Sequence, residues 1–182
     1  MTGFDPVPAL RAAGLAPGAL VLDVGCGTGL PARAMARAGY RVIGVDADVD
    51  AVATGRGLSA GLPGAASPAW LAARGERLPF RDAAFAAVLC GDVLHWAADE
   101  AACRALWHEA WRVLEPGGAF HVRCVVRDEH AAAEGSAARR PGPWFPVPRS
   151  LLDRLVADGA GRHASPPRRD GDRLEFTARK PG

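Results

Sequence analysis

The sequence predicts an α/β protein in three layers, a mostly parallel sheet covered by helices on both faces. Three observations predict it. Short continuous apolar runs alternate with helical patterns, which is how buried parallel strands and their crossover helices read. The first run leads straight into a glycine-rich turn, Gly25-Cys26-Gly27-Thr28-Gly29. The chain of 182 residues, 49% hydrophobic and 23% charged, suffices for one such core and excludes a disordered, collagen-like or fibrous protein.

Each element follows from local pattern. Ala19–Val24 is a continuous apolar run carrying Asp23 near its end, and Leu30–Ala38 follows as a helix. Tyr40–Val45 is a second strand, again closed by an acid, Asp46; Asp48 is placed to cap a helix running to about Leu58. Glycines and prolines between Gly57 and Pro68 read as a loop. Ala69–Ala72 is a weak third strand and Phe85–Cys90 a fourth. Glu100–Leu114 is a helix with Ala102, Leu106, Ala110 and Val113 on one stripe. Pro116-Gly117-Gly118 is a stop and turn before a fifth strand, Ala119–Val126. Residues 127–147, rich in Ala, Gly, Arg and Pro, read as a lid-like connection within a single domain spanning 1–182. Ser150–Ala157 is a helix with Leu151, Leu152, Leu155 and Val156 on one side, and Arg162–Ala178 a closing hairpin about Asp170-Gly171-Asp172.

Composition excludes several classes. Net charge is +2, from 22 basic and 20 acidic residues, which does not suit a nucleic-acid binder, and neither an extended basic strip nor an Asn-Pro-Pro-aromatic tetrad is present. All basic residues but Lys180 are arginines and alanine fills about a fifth of the chain, the mark of a GC-rich, bacterial coding bias. No 18-residue apolar stretch and no basic-then-apolar start occur, so neither a spanning helix nor a secretory signal is expected. Cys26, Cys90, Cys103 and Cys124 form no Cys-x-x-Cys pair and no zinc spacing, so reduced thiols, a cytoplasmic location and no metal are expected.

Ligands of open parallel sheets sit outside the carboxyl ends of the strands, and Asp23, Asp46 and Cys90 fall at three such ends. Alternating glycines permit positive φ and leave no Cβ to block a ligand, and the helix start beyond them offers unpaired N–H groups. A purely structural tight turn would read the same way. The spacing Gly-x-Gly-x-Gly, with Leu at position 30, departs from the Gly-x-Gly-x-x-Gly of dinucleotide sites, which argues against a nicotinamide dehydrogenase. Asp46, 17 residues beyond Gly29, is placed to accept both hydroxyls of a ribose; a helix cap is the competing role, for which Asp48 is better placed.

With these residues the sequence resembles the class I S-adenosylmethionine-dependent methyltransferases, especially the "LPF" group that includes ubiquinone-biosynthesis enzymes. Val21–Gly29 looks like that family's first motif, Val42–Asp46 like its second strand and ribose acid, Glu76–Phe80 with Phe85–Cys90 like its third and fourth elements, and Trp111–Gly118 like the approach to its fifth strand. The matches cover about three fifths of the chain, residues 19–126. The resemblance implies a Rossmann-like sandwich with a seven-stranded sheet and an antiparallel C-terminal hairpin strand. It implies S-adenosylmethionine as cofactor and S-adenosylhomocysteine as product. It places Gly25, Cys26 and Gly27 along the methionine end through backbone atoms, Asp23 beneath that loop and toward the amino group, Asp46 at the ribose with Ala47 beside the adenine, Gly75 and Glu76 at the adenine edge, and Cys90 and Gly91 near the sulfonium. Where the family commonly has an acid for the adenine amino group, this chain has Arg74.

The cofactor brings the electrophile, so the protein mainly supplies position, and a base is needed only when the acceptor must lose its proton early. His95 is the candidate base. Asp92, Trp96, His130 and Trp144 are candidates for substrate contact. His121 reads as a satisfied core residue, His108 and His163 as surface residues, and Trp107 with Trp111 as a packed helix face. About 20 residues precede the glycine motif, so an open site is expected, suited to a small-molecule or carrier-tethered acceptor or completed in a homodimer. The leading reading is O- or N-directed methyl transfer in secondary metabolism. The alternative keeps the cofactor but performs a non-methyl reaction such as a cyclisation, or serves as a binding subunit.

Overall fold

The computed structural model describes residues 4–62, 67–127, 145–159, 161–163 and 167–182. Among these residues nine strands form one sheet: β1 (Leu20–Val24), β2 (Arg41–Asp46), β3 (Ala69–Ala72), β4 (Phe85–Gly91), β5 (Leu114–Arg127), β6 (Val147–Pro148), β7 (Arg162–His163), β8 (Arg168–Asp170) and β9 (Arg173–Arg179). The described helices that flank it are α1 (Val7–Ala12), α2 (Leu30–Arg37), α3 (Val49–Ser59), α4 (Glu100–Val113) and α5 (Arg149–Asp158), with a 3-10 turn over Leu94–Trp96. Seven strands lie in the order β3-β2-β1-β4-β5-β9-β7; β6 is attached to β5 and β8 to β9. The first five pair in parallel, and β9 runs antiparallel to β5 and β7. The expected closing hairpin is β8–β9, turning at Gly171 (φ +59°) with Asp170 opposite Arg173.

The order reverses between β1 and β4. Successive crossovers build outward from β1 to β3, then return to β4, and this opens a crevice above the carboxyl ends of β1 and β4. Strand alternation divides the interior in two. Leu22, Val24, Val88, Cys90, Phe120 and Val122 face α4 and α5, where Trp107 stacks on Trp111 with ring centres 6.1 Å apart and meets Phe120 edge-on at 4.8 Å. Val21, Ala87, Leu89 and Ala119 face the opposite layer with Leu10, Met35 and Tyr40. His121 and Asp23 lie among the buried residues of this second face.

Two elements differ from the sequence expectation. Residues Pro116–Gly118 do not end the pairing of β5 with β4. Leu114 already pairs with Phe85, and the extra residues bulge out before Ala119 pairs with Ala87, with Gly117 at φ +74° absorbing the turn. The short helix α1 carries too few residues to show a period; it is fixed by burying Val7 and Leu10. Lys180, the one lysine of the chain, donates from Nζ to the Trp111 and Leu114 carbonyls at 2.8 and 2.7 Å, capping the C-terminus of α4.

Candidate functional site

A cleft of about 650 Å³ lies at the switch point. Val24, Gly25 and Gly27 form its floor at the end of β1. Asp46, Ala47 and Asp48 line it from the end of β2, Arg74, Gly75 and Glu76 from beyond β3, and Asp92, Val93 and Trp96 from beyond β4. Its size is that of a small-molecule site.

The glycine turn is held by the neighbouring strand. The N–H groups of Gly25 and Cys26 both donate to the Val45 carbonyl, at 2.7 and 3.0 Å. Gly25, Gly27 and Gly29 take φ of +67°, +52° and +79°, a region that side chains with a Cβ enter only at a cost. Beneath the turn sits Trp70 of β3, a residue that sequence reasoning did not single out. A methyl group on Gly29 would stand 1.9 Å from its ring, one on Gly55 2.8 Å and one on Gly44 3.0 Å. The turn thus rests on an indole cradled by three glycines from α2's cap, β2 and α3. Spaced glycines inside a predicted strand and helix were the available signal. Gly29→Ala combines a left-handed backbone with a ring clash, so it is expected to cost about 2–3 kcal/mol and lower the Tm by roughly 5–10 °C in a thermal melt.

Asp46 has both carboxylate oxygens engaged by backbone: Oδ2 accepts from the Gly27 N–H at 2.7 Å and Oδ1 from the Asp48 N–H at 2.9 Å. Each oxygen keeps a second lone pair, and the residue lines the cleft. Asp48 accepts from the Asp50 and Ala51 N–H groups at 2.9 and 3.1 Å and caps α3 as expected.

Asp23 lies buried in β1 behind the turn. Burial, and then the negative charge of Asp46, push its carboxyl up from 3.8 to about 8, while the Ala32 N–H pulls the other way. Its Oδ2 has no hydrogen-bond partner. A buried acceptor left unpaired is costly, and an ammonium group entering beside the turn would relieve it.

Residues 74–76 form the outer rim. Arg74 pairs with Glu76 at 3.2 Å, both at the cleft, so the arginine that replaces the usual acid holds the acid two residues on. Arg112 of α4 anchors the Leu78-Pro79-Phe80 segment by donating to the Leu78 and Phe80 carbonyls at 3.1 and 2.8 Å, with Glu109 and Asp82 as its ion-pair partners. Glu109 in turn accepts from the Leu78 N–H at 2.8 Å. The Arg112 hydrogen bond, ahead of its own desolvation, holds the Glu109 carboxyl below its ordinary value.

The other candidates separate. Cys26 is buried and its Sγ turns to the Gly27 carbonyl; Cys90 lies wholly in the core. Neither side chain lines the cleft, and burial, the first cause in each case, pushes all four thiols up, Cys103 to about 11, so none is a ready nucleophile. Gly91 faces Phe4, whose ring would stand 2.6 Å from an added methyl group. His95 is buried, and its Nδ1 accepts from the Val125 N–H at 3.2 Å while its carbonyl accepts from the Phe145 N–H. That arrangement ties β5 to the segment before β6 and spends the ring lone pair, which suits a structural imidazole rather than a general base. His121 is buried, bonds Thr177 at 2.9 Å and stacks on Phe4. Trp96 is 64% exposed at the mouth of the cleft. His130, Trp144 and the core of the 127–147 connection lie outside the described residues. Among the described residues no group of three or more His, Cys, Asp or Glu is placed to hold a metal, and no helix is long and apolar enough to cross a membrane.

The glycine turn, the two-oxygen acid at the end of β2 and the unpaired buried carboxyl fit S-adenosylmethionine, offering respectively close backbone approach, acceptors for a ribose diol and a partner for an amino group. Known proteins agree. The family profile described as "Methyltransferase domain" matches residues 22–122. The chain is 37% identical to sterol 24-C-methyltransferase of Eremothecium gossypii over 124 residues, which is 65% of this chain and 31% of that protein. It thus spans about a third of the length of the curated relatives it matches. A SAM-dependent methyltransferase of Methanosarcina mazei superposes with a TM-score of 0.77 at 20% identity, over 98% of this chain and 99% of that one. The [4+2]-cyclase SpnF superposes with a TM-score of 0.75 at 24% identity, over 96% and 80%. At such identities these likenesses speak for the fold. The chain belongs to the class I S-adenosylmethionine-dependent methyltransferase family, whose cofactor is S-adenosylmethionine.

Proposed function

We propose that this chain transfers a methyl group from S-adenosylmethionine to a small organic acceptor, at oxygen or nitrogen, free or tethered to a carrier, as a step of biosynthesis in the cytoplasm of a bacterium. The observation that supports this most is the meeting, at one switch-point cleft, of the glycine turn and Asp46 with a spare lone pair on each oxygen, backed by Asp23, whose unpartnered Oδ2 lies buried behind the turn. In this reading Gly25 and Gly27 admit the methionine end, Asp46 takes the ribose hydroxyls, Ala47 and Gly75 flank the adenine, and Asp23 receives the amino group.

When bound, the cofactor supplies an electrophilic methyl group. The glycine turn and Asp46 would hold the cofactor while its S–CH3 bond broke and the acceptor atom took the methyl group, leaving S-adenosylhomocysteine, and the acceptor would give up its proton to water. With His95 tied to Val125, catalysis in this reading rests on position. Trp96 at the mouth offers an aromatic face to the acceptor.

The alternative, a cofactor-binding protein performing a cyclisation or acting as a binding subunit, draws its support from the same feature: among the described residues no imidazole or thiol lines the cleft. The test is incubation with methyl-labelled S-adenosylmethionine and a panel of hydroxyl, amine and carrier-bound acceptors, with sterols added because of the relatives' names. Label in an acceptor with equimolar S-adenosylhomocysteine is expected. An acceptor converted without label transfer would overturn methyl transfer in favour of the alternative.

A further inference from the structure

Asp92 is the first residue past β4, and its geometry is unusual. Its φ is +60°, uncommon for any residue with a Cβ and a cue to function where the surroundings enforce it. The enforcement is visible. Its N–H donates to the Arg123 carbonyl at 2.7 Å. Its Oδ1 accepts from Nε of Arg173 on β9 at 3.0 Å, and Nε of Arg123 stands 3.8 Å from Oδ2. The Arg123 guanidinium is itself seated over the Phe4 ring, 4.8 Å from its centre. Segments from the N-terminus, β5 and β9 therefore converge to fix one carboxylate.

That carboxylate lines the cleft, whereas the two arginines stand behind it. Its neighbour Val93 packs over Gly25, while Asp46 holds Gly27. A nucleoside whose ribose lay on Asp46 with its 5′ substituent toward Gly25 would bring that substituent to the side of the cleft that Asp92 and Val93 line. Among the described residues the cleft wall carries four carboxylates (Asp46, Asp48, Glu76 and Asp92) against one guanidinium, Arg74. Arg74 is spent on Glu76 and Asp46 on backbone.

We propose that Asp92 is a specificity-determining carboxylate that reads the positive charge at the sulfur of the cofactor, so that the cleft favours charged S-adenosylmethionine over neutral S-adenosylhomocysteine. Arg173 is its positioning residue, and Arg173 and Arg123 both temper its charge. This rests on the function proposed above. Its consequence is release: once the methyl group has gone, the attraction at Asp92 goes with it, and the spent cofactor leaves more readily.

The test is calorimetric titration of the full chain with each of the two ligands, for wild type, Asp92→Asn and Arg173→Gln, with circular dichroism as the fold control. A unit charge about 4 Å away in a water-like medium is worth roughly fivefold in affinity. Asp92→Asn is expected to lower the ratio of S-adenosylmethionine to S-adenosylhomocysteine affinity about fivefold, through the charged ligand alone. Arg173→Gln, which bares the carboxylate, is expected to move the ratio the opposite way by about twofold, and raised salt to shrink both changes. A merely structural ion pair would weaken both ligands equally in both variants, and that result overturns the proposal while leaving cofactor binding intact. If Asp92→Asn does not fold, an unchanged ratio in Arg173→Gln overturns it alone. Wild type binding neither ligand would overturn the function proposed above and this inference with it.

Discussion

Asp46→Ala is expected to weaken S-adenosylmethionine binding about 100-fold or more, measured by calorimetric titration, in a protein that still folds. The size follows from the residue's double use. Two charge-assisted hydrogen bonds to ribose hydroxyls would go, each worth about 1.5–3 kcal/mol. The substitution also frees the Gly27 N–H, whose 2.7 Å bond to Asp46 holds the glycine turn, and the Asp48 N–H at the entry to α3, bonded at 2.9 Å. Asp46→Asn is not a mild alternative. Both oxygens face N–H donors, so an amide must set its own NH2 against one of them, and a loss of at least tenfold is expected there too. Removing Asp46 also takes away a charge that raises Asp23. A variant that bound the cofactor within twofold of wild type would contradict the placement of the ribose.

Asp23→Asn is expected to do the reverse to stability. The folded carboxyl sits at about 8 against 3.8, through burial and then Asp46. Below about pH 4 the side chain is protonated in both folded and unfolded chains and contributes no difference. Between about 4 and 8 the unfolded chain gives up this proton and the folded chain does not, so wild-type stability falls as pH rises through that window. Above about 8 the penalty is complete, on the order of 3–5 kcal/mol. Asparagine carries no such charge. Melting temperatures of the two proteins should coincide near pH 4 and diverge toward pH 8, the variant ending roughly 10 °C higher. The same variant should bind S-adenosylmethionine about tenfold more weakly, because an amide pairs poorly with an ammonium. Such a trade of stability for binding is common at functional sites. Parallel melting curves at both pH values would contradict it.

Local signals made most of this legible in the sequence. The glycine turn, the acid closing β2 and the cap at Asp48 each depend on neighbours a few residues away, and each stands where the pattern puts it. Strands β1 to β5 and β9 followed from apolar runs and alternation, α4 and α5 from an apolar stripe, and α3 from its cap, whereas the short β6 and β7 carried no such signal. What escaped depends on distant contacts. Trp70 supports the turn only because β3 lies beside β2, bringing it to Gly29, 41 positions earlier in the chain. Arg173 reaches Asp92 across 81 positions through the antiparallel return of β9. Phe4 precedes a helix too short to carry a period and meets His121 and Arg123 only through the fold. His95 shows the opposite limit: its position past β4 suited a base, but the chemistry depended on whether a backbone N–H would claim its nitrogen, and Val125, 30 residues on, does so.

The most direct test of the cofactor site is titration of the purified wild-type chain with S-adenosylmethionine and S-adenosylhomocysteine, by calorimetry and by melting temperature. Saturable binding of each at one per chain, with micromolar affinity and a higher Tm, is the predicted result. Neither heat nor a Tm shift, from protein with native circular dichroism, would contradict the reading of Asp23, the glycine turn and Asp46 as a cofactor site.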